Sequence, residues 1–270
     1  MKPCKTDGTC VHSSAEISGN ARNRRVATYT CPTAKWPVVN TQNTHELNGN
    51  QTQTRIAQKT VTNEEFHRFV ERAEGRFEWV DGQIIALYSG EPVDDSLVEY
   101  VLSDDFDRAQ LPEFPMPTQK HDDIVSNLHG LLFILLKSRN FRVYSQATFI
   151  RGELFGKSRQ PDITIVKKDG QQRTKMHEVM NPVVLMEVLS KSTQSIDMAE
   201  KLEEYQNVPS VQEYVMVSQS QVRVVVFRRI SNRKWEEEIF TGLSETFTLT
   251  SLGVYINLTD IYEDVVVGKE

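Results

Sequence analysis

Seven consecutive residues, Val183-Val184-Leu185-Met186-Glu187-Val188-Leu189, constrain this chain more than any other stretch. Alternation of apolar and polar residues would mark a strand with one wet face. Here the apolar run is continuous and is broken by a single acid, the pattern of a strand buried on both faces. Such a strand belongs in the middle of a sheet covered on both sides, so its neighbours must supply further strands and covering helices.

The flanking sequence supplies them in the order αβββαβ. Ile124, Leu128, Leu131, Leu132 and Leu135 recur at helical spacing within Gln119 to Ser138. Phe141, Val143, Ser145, Ala147 and Phe149 alternate as a strand, and Pro161 precedes a second, Ile163 to Val166. After the Val183 to Leu189 strand, a helix is predicted from Asp197 to Asn207, stopped by Pro209. Val211 to Val217, Val222 to Phe227 and Trp235 to Phe240 read as strands, and Leu258 to Val265 as a closing helix. Ahead of this core, Thr62 and Glu65 form a capping box for a helix carrying Phe66, Phe69 and Val70. Phe77 to Val80 and Gln83 to Leu87 flank Asp81-Gly82 as a hairpin. The fold class expected is α+β: a mixed central sheet flanked by helices, preceded by a helix and hairpin and followed by extra strands.

Residues 1–58 are rich in Thr, Asn, Gln and Ser and lack periodicity, so they read as a disordered polar tail ahead of a domain at 59–267. All three cysteines, Cys4, Cys10 and Cys31, lie in that tail. An odd number so placed makes no disulfide framework, and with His12 they lack the paired spacing of a zinc knuckle. The first thirty residues show no apolar secretory core and no run could span a bilayer, so a cytoplasmic address without a membrane partner is expected. Within 91–117, eight acids face only Arg108, and Pro112, Pro115 and Pro117 close the stretch. It reads as a loop-like acidic insertion.

Two carboxylates stand out by position. Asp162 follows Pro161 at the mouth of a strand, and Glu187 sits inside the apolar run. An ionised acid there needs compensation, from a divalent cation or from an Arg or Lys partner. If the two strands are neighbours, the two acids stand side by side, and a hard cation would relieve their repulsion. Lys201 lies on the following helix with Asp197 and Tyr205 four residues to either side. It can form a surface pair with Asp197, or reach the carboxylates and stabilise transition-state charge.

An acid pair and a lysine on an αβββαβ frame is the PD-(D/E)xK nuclease arrangement, and the chain resembles its Uma-two branch of restriction-type endonucleases. The resemblance rests on Phe77-Glu78-Trp79-Val80-Asp81-Gly82, His121-Asp122-Asp123-Ile124 and Pro161-Asp162-Ile163. It continues through Glu187-Val188-Leu189-Ser190-Lys191-Ser192-Thr193 with Asp197, Lys201 and Tyr205, Val208 to Tyr214, and Thr259-Asp260-Ile261-Tyr262. It implies a restriction-endonuclease-like fold and magnesium, with manganese as a substitute, held by Asp162, Glu187 and a carbonyl, that of Val188. It implies Lys201 as the catalytic lysine, Glu78 as a further metal ligand, and a role for His121, which could equally be a polar residue at a helix start. Leu189 fills the usual lysine position of the strand, so the lysine comes from the helix. Lys191 stands where the family usually has Pro.

The whole chain carries net charge −6, which excludes a globally basic nucleic-acid coat. Arg139 to Lys175, however, holds nine basic residues against three acids. Arg151, Lys157 and Arg159 within it are candidate phosphate contacts, and scattered surface cations are the plainer reading. DNA is the expected partner, and cutting both strands would call for a homodimer. A non-catalytic nuclease-fold module that binds nucleic acid or protein is the alternative.

Overall fold

The structure is a computed structural model, and it describes residues 59–268 apart from 147, 152–155, 190–195 and 233, with the backbone alone for 196–199. The expected tail, Cys4, Cys10, His12 and Cys31 in it, Ser190 to Thr193 and the side chain of Asp197 lie outside the described residues.

Helix α1 (Asn63–Arg72) begins with the expected capping box, Thr62 Oγ1 accepting from Glu65 N–H while Glu65 accepts from Thr62 N–H. Strands β1 (Phe77–Val80) and β2 (Gln83–Ala86) form the hairpin. Asp81 and Gly82 both have positive φ, 50° and 84°, as a two-residue turn matching the strand twist demands. The short β3 (Glu91–Pro92) pairs with β2.

The 91–117 stretch departs from expectation. It contains helix α2 (Asp95–Leu102), capped by Asp94, and a turn of 3-10 helix at Arg108–Gln110. Leu97, Val98, Val101 and Leu102 form an apolar stripe under the acids, and Val98 and Val101 are buried against the α1 and hairpin core. Asp95 and Glu99 lie on this amphipathic helix and Asp94 caps it, while the other five acids lie outside it.

Helix α3 (Gln119–Leu136) leads into β4 (Phe141–Ser145). The two-residue strands β5 (Ile150–Arg151) and β6 (Ser158–Arg159), too short to register as a pattern, complete a sheet ordered β3-β2-β1-β6-β5. The chain then crosses at Gln160-Pro161-Asp162 into the second sheet. That sheet contains β7 (Ile163–Lys167), β8 (Val184–Leu189), β9 (Glu213–Ser218), β10 (Val224–Ser231) and β11 (Lys234–Phe240), with α4 (Ile196–Gln206) between β8 and β9. Its order is β11-β10-β9-β8-β7-β4, with β8 and β9 parallel and the other neighbours antiparallel. The αβββαβ core is therefore α3, β4, β7, β8, α4 and β9, and the α+β, mixed-sheet class holds.

Every residue of β8 is buried, as its composition requires. Val184, Met186 and Val188 pack with α3 residues such as Ile124, Leu128 and Leu132. Leu185 and Leu189 point to the opposite face and pack with Tyr205 of α4. A further hairpin, β12 (Thr246–Leu249) and β13 (Val254–Asn257), was not expected; it covers the α3 core with Phe247, Leu249, Val254 and Ile256. The closing helix α5 (Leu258–Ile261) is four residues long, shorter than the sequence pattern suggests.

Candidate active site

Sheet register brings the two acids together. β7 and β8 pair antiparallel with Ile163 opposite Met186 and Thr164 opposite Leu185. One further step along the same register sets Asp162 opposite Glu187. Alternation puts Asp162, Thr164 and Val166 on the face shared by Leu185, Glu187 and Leu189, the α4 face. Both carboxylates are buried, at 2% and 5% exposure.

Helix α4 delivers Lys201 to the same place. Its Nζ lies 3.2 Å from Glu187 Oε1 and 3.1 Å from Glu78 Oε1. Tyr205, one turn on, donates its hydroxyl to the same Glu187 oxygen at 3.1 Å. Lys201 is therefore an interior cation bridging two sheets, not a surface residue. Glu78 arrives from β1, whose pairing of Trp79 with Ser158 puts Glu78 opposite Arg159 one step along. Arg159 Nη1 meets Glu78 Oε2 at 2.8 Å, and Gln160 N–H donates to Glu78 Oε1.

Asp162 is held from three sides. Val188 N–H donates to Oδ2 at 2.8 Å, while Arg76 Nη1 and His121 Nε2 lie 2.9 and 3.2 Å from Oδ1. His121 sits in the first turn of α3, where Thr118 Oγ1 accepts its N–H. His121 thus stands beside Asp162. Arg76, Gln160 and Tyr88 are residues that sequence reasoning passed over. A signal existed: Arg76 and Glu78, and Gln160 and Asp162, are each two residues apart, the spacing that shares a strand face.

The charges are unequal. Burial would raise the Asp162 carboxyl, but His121, Arg76 and the Val188 N–H hold it well below the usual carboxylate range. Glu78 is likewise held at about 2 despite burial, by Lys201 and Arg159. Glu187 goes the other way: burial raises it, Lys201 relieves it in part, and the nearby Asp162 and Glu78 add to the rise. Two opposed buried carboxylates, one already reluctant to ionise, set hard oxygen donors near one another, each beside a protein cation. That donor set fits magnesium, which takes one or two carboxylates and fills its remaining positions with water and phosphate. Among the described residues, no three His, Cys, Asp or Glu side chains are gathered so as to hold a metal ion. Glu78 accordingly stands in the charge network and is not gathered with Asp162 and Glu187 into a three-ligand group.

Two of the three candidate phosphate contacts, Arg159 and Lys157, are engaged internally. Arg159 is buried, and its guanidinium is engaged by Glu78, Glu200 and Glu204. Lys157 pairs with Glu200 and Glu204 at 2.6 and 2.8 Å. Arg151 lies over the Trp79 ring, 5.0 Å from its centroid. A basic count along the chain does not distinguish cations spent internally from cations offered to solvent. A cleft of about 1120 Å³ opens beside the site, lined by Arg76, Tyr88, the Leu111 to Pro117 segment, Asp122, His129 and Gln146 among others.

Comparison with known proteins agrees with this architecture. The structure resembles a crystal structure described as a putative nuclease belonging to DUF820, from Anabaena variabilis ATCC 29413, with a TM-score of 0.50 and 18% identity, covering 72% of this chain and 93% of that one. A protein of Synechocystis sp. described as "Uncharacterized protein sll1609" is 24% identical over 116 residues, which span 43% of this chain and 66% of that protein. The Uma2 family model, described as "Putative restriction endonuclease", matches residues 110–259. That match takes in His121, Asp162, Glu187 and Lys201 and leaves α1, the Glu78 hairpin and α2 ahead of it. More than half of the chain matches, and the chain belongs to the Uma2 family.

Proposed function

We propose that this protein is a metal-dependent endonuclease that hydrolyses DNA phosphodiester bonds, with Asp162 and Glu187 holding magnesium and Lys201 as its catalytic lysine. The observation that supports it is the opposition of Asp162 and Glu187 across β7 and β8 with Lys201 Nζ 3.2 Å from Glu187. When bound, the metal would polarise the phosphate and lower the pKa of a water, and manganese would serve in its place. Lys201 is fixed between Glu187 and Glu78, so its charge is in position before any substrate arrives. Tyr205 orients the Glu187 carboxylate, Val188 N–H and His121 orient Asp162, and Arg159 anchors Glu78. A second copy of the chain would allow both strands to be cut.

The test is nicking of supercoiled plasmid by purified protein with magnesium or manganese, beside Asp162→Asn and Glu187→Gln. Loss of nicking in both variants with unchanged circular dichroism is expected. No nicking by the unaltered protein under either metal, or equal nicking by the variants, overturns the proposal.

One observation favours a non-catalytic binding module: protein cations already stand beside each carboxylate of the site. A metal titration separates the two. A rise in melting temperature with magnesium supports the enzyme, by mass action on a native-state site, and no rise supports the binder.

A further inference from the structure

Arg76 is the residue that connects the carboxylate site to the cleft. Its Nη1 donates to Asp162 Oδ1 and to the Tyr88 hydroxyl, its Nη2 to the Gln160 carbonyl, and its Nε to Gln160 Oε1. Its guanidinium also lies 5.5 Å from the centre of the Tyr88 ring. Four of the five donor hydrogens are thereby committed to fixed partners, leaving one on Nη2. The guanidinium is held rigid, and the residue still lines the cleft wall together with Tyr88.

The charge around that cleft sharpens the point. Its described lining contains three acids, Glu74, Glu113 and Asp122, and two arginines, Arg76 and Arg108. Arg108 is ion-paired with Glu74 at the exposed rim. A polyanion entering this cleft toward Asp162 therefore meets Arg76 as the cation next to the acids. The remaining Nη2 hydrogen, on a guanidinium already oriented by Asp162, Tyr88 and Gln160, can donate to an oxyanion with little loss of entropy.

We propose that Arg76 is the phosphate-binding residue of the site, receiving a nucleic-acid phosphate from the cleft beside Asp162. The inference rests on the nuclease reading, and it names a contact that this reading does not require.

The test is binding of short labelled oligonucleotides, single-stranded and duplex, in EDTA across a salt series, to the unaltered protein, Arg76→Gln and Arg76→Lys. Loss of one phosphate contact reduces the slope of log affinity against log salt by about 0.9 for duplex and about 0.7 for single strand. Arg76→Gln should show that reduction and bind about tenfold more weakly or worse. A residue that only props Asp162 would leave the slope unchanged. Arg76→Lys should keep the slope, because the charge stays, yet lose about tenfold in affinity, because an ammonium cannot keep the four bonds that aim the remaining donor. If Arg76→Gln fails to fold, Arg76→Lys carries the test, and unaltered affinity there overturns the inference. Identical affinity and slope in Arg76→Gln also overturns it, leaving the nuclease reading intact if the unaltered protein nicks plasmid. If the unaltered protein neither binds oligonucleotide nor nicks plasmid, both fall together.

Discussion

Replacing Glu187 by Gln should stabilise this protein at alkaline pH while abolishing its proposed activity. Glu187 is buried on β8 between Leu185-Met186 and Val188-Leu189, within reach of Lys201 and Tyr205 but across from Asp162. Burial, with Asp162 and Glu78 nearby, pushes its carboxyl from the ordinary 4.5 up to about 7 even with Lys201 alongside. At about 1.36 kcal/mol per pH unit, the ionised form is about 3 kcal/mol less stable in the folded chain than in the unfolded one. The direction follows from linkage. A carboxyl raised in the folded state contributes stability that is present below 4.5 and lost as pH rises through about 7. Gln has nearly the same shape, can accept from Tyr205 and Lys201, and never ionises; Lys201 retains Glu78 at 3.1 Å. Urea unfolding in EDTA at about pH 5 and about pH 8.5 should therefore show the gap between Glu187→Gln and the unaltered protein widening by about 3 kcal/mol in favour of the variant. Magnesium at the proposed site would require the ionised form, so at the higher pH it should restore the unaltered protein and leave the variant unmoved. A gap that stays constant with pH, or that widens the other way, refutes this account of the site's charge.

Glu178 makes the opposite case: burial opposes its ionisation, yet His67, Ser158, Asn63 and Thr174 hold its carboxyl at about 2. Its contribution is complete above 4.5 and disappears as pH falls toward 2, so Glu178→Gln should cost about 1–3 kcal/mol in urea unfolding at neutral pH and nothing in strong acid. Lys201→Met leaves Glu187 and Glu78 buried without their shared cation, and should lower stability by about 3–5 kcal/mol at neutral pH by the same assay. Leu128 is fully buried between α3 and the sheet, and Leu128→Ala should cost about 2–5 kcal/mol. Gly82→Ala forces a side chain into φ +84° with its Cβ 3.0 Å from that of Thr60, and a loss of about 1–2 kcal/mol is expected from thermal or urea melts.

Much of this molecule was readable from local pattern. The continuous apolar run around Glu187 announced a fully buried strand, because two covered faces favour apolar side chains at every position and admit a polar one only where it is partnered. The Asp81-Gly82 turn and the Thr62 capping box acted within a few residues of themselves, so their chemistry sufficed. Helix α2 was hidden because the eight acids of 91–117, two of them within the helix, mask the apolar stripe of Leu97, Val98, Val101 and Leu102 that the packing uses. The β5, β6 and β12–β13 strands escaped because short strands gain stability from partners that the pattern does not name.

What the sequence determined alone was the order of the core elements and the presence of two acids, Asp162 at the mouth of one strand and Glu187 within another. Tertiary structure decided which side chains meet. Only the register of β7 on β8 opposes Asp162 and Glu187, and only the crossing at Gln160-Pro161 brings Glu78, Arg159 and Arg76 of the other sheet against them. The physical reason is that periodicity states which face a residue points to, whereas the partner across that face is chosen by long-range packing. That choice turned Arg159 and Lys157 inward to buried carboxylates and left Arg76 at the edge of the cleft.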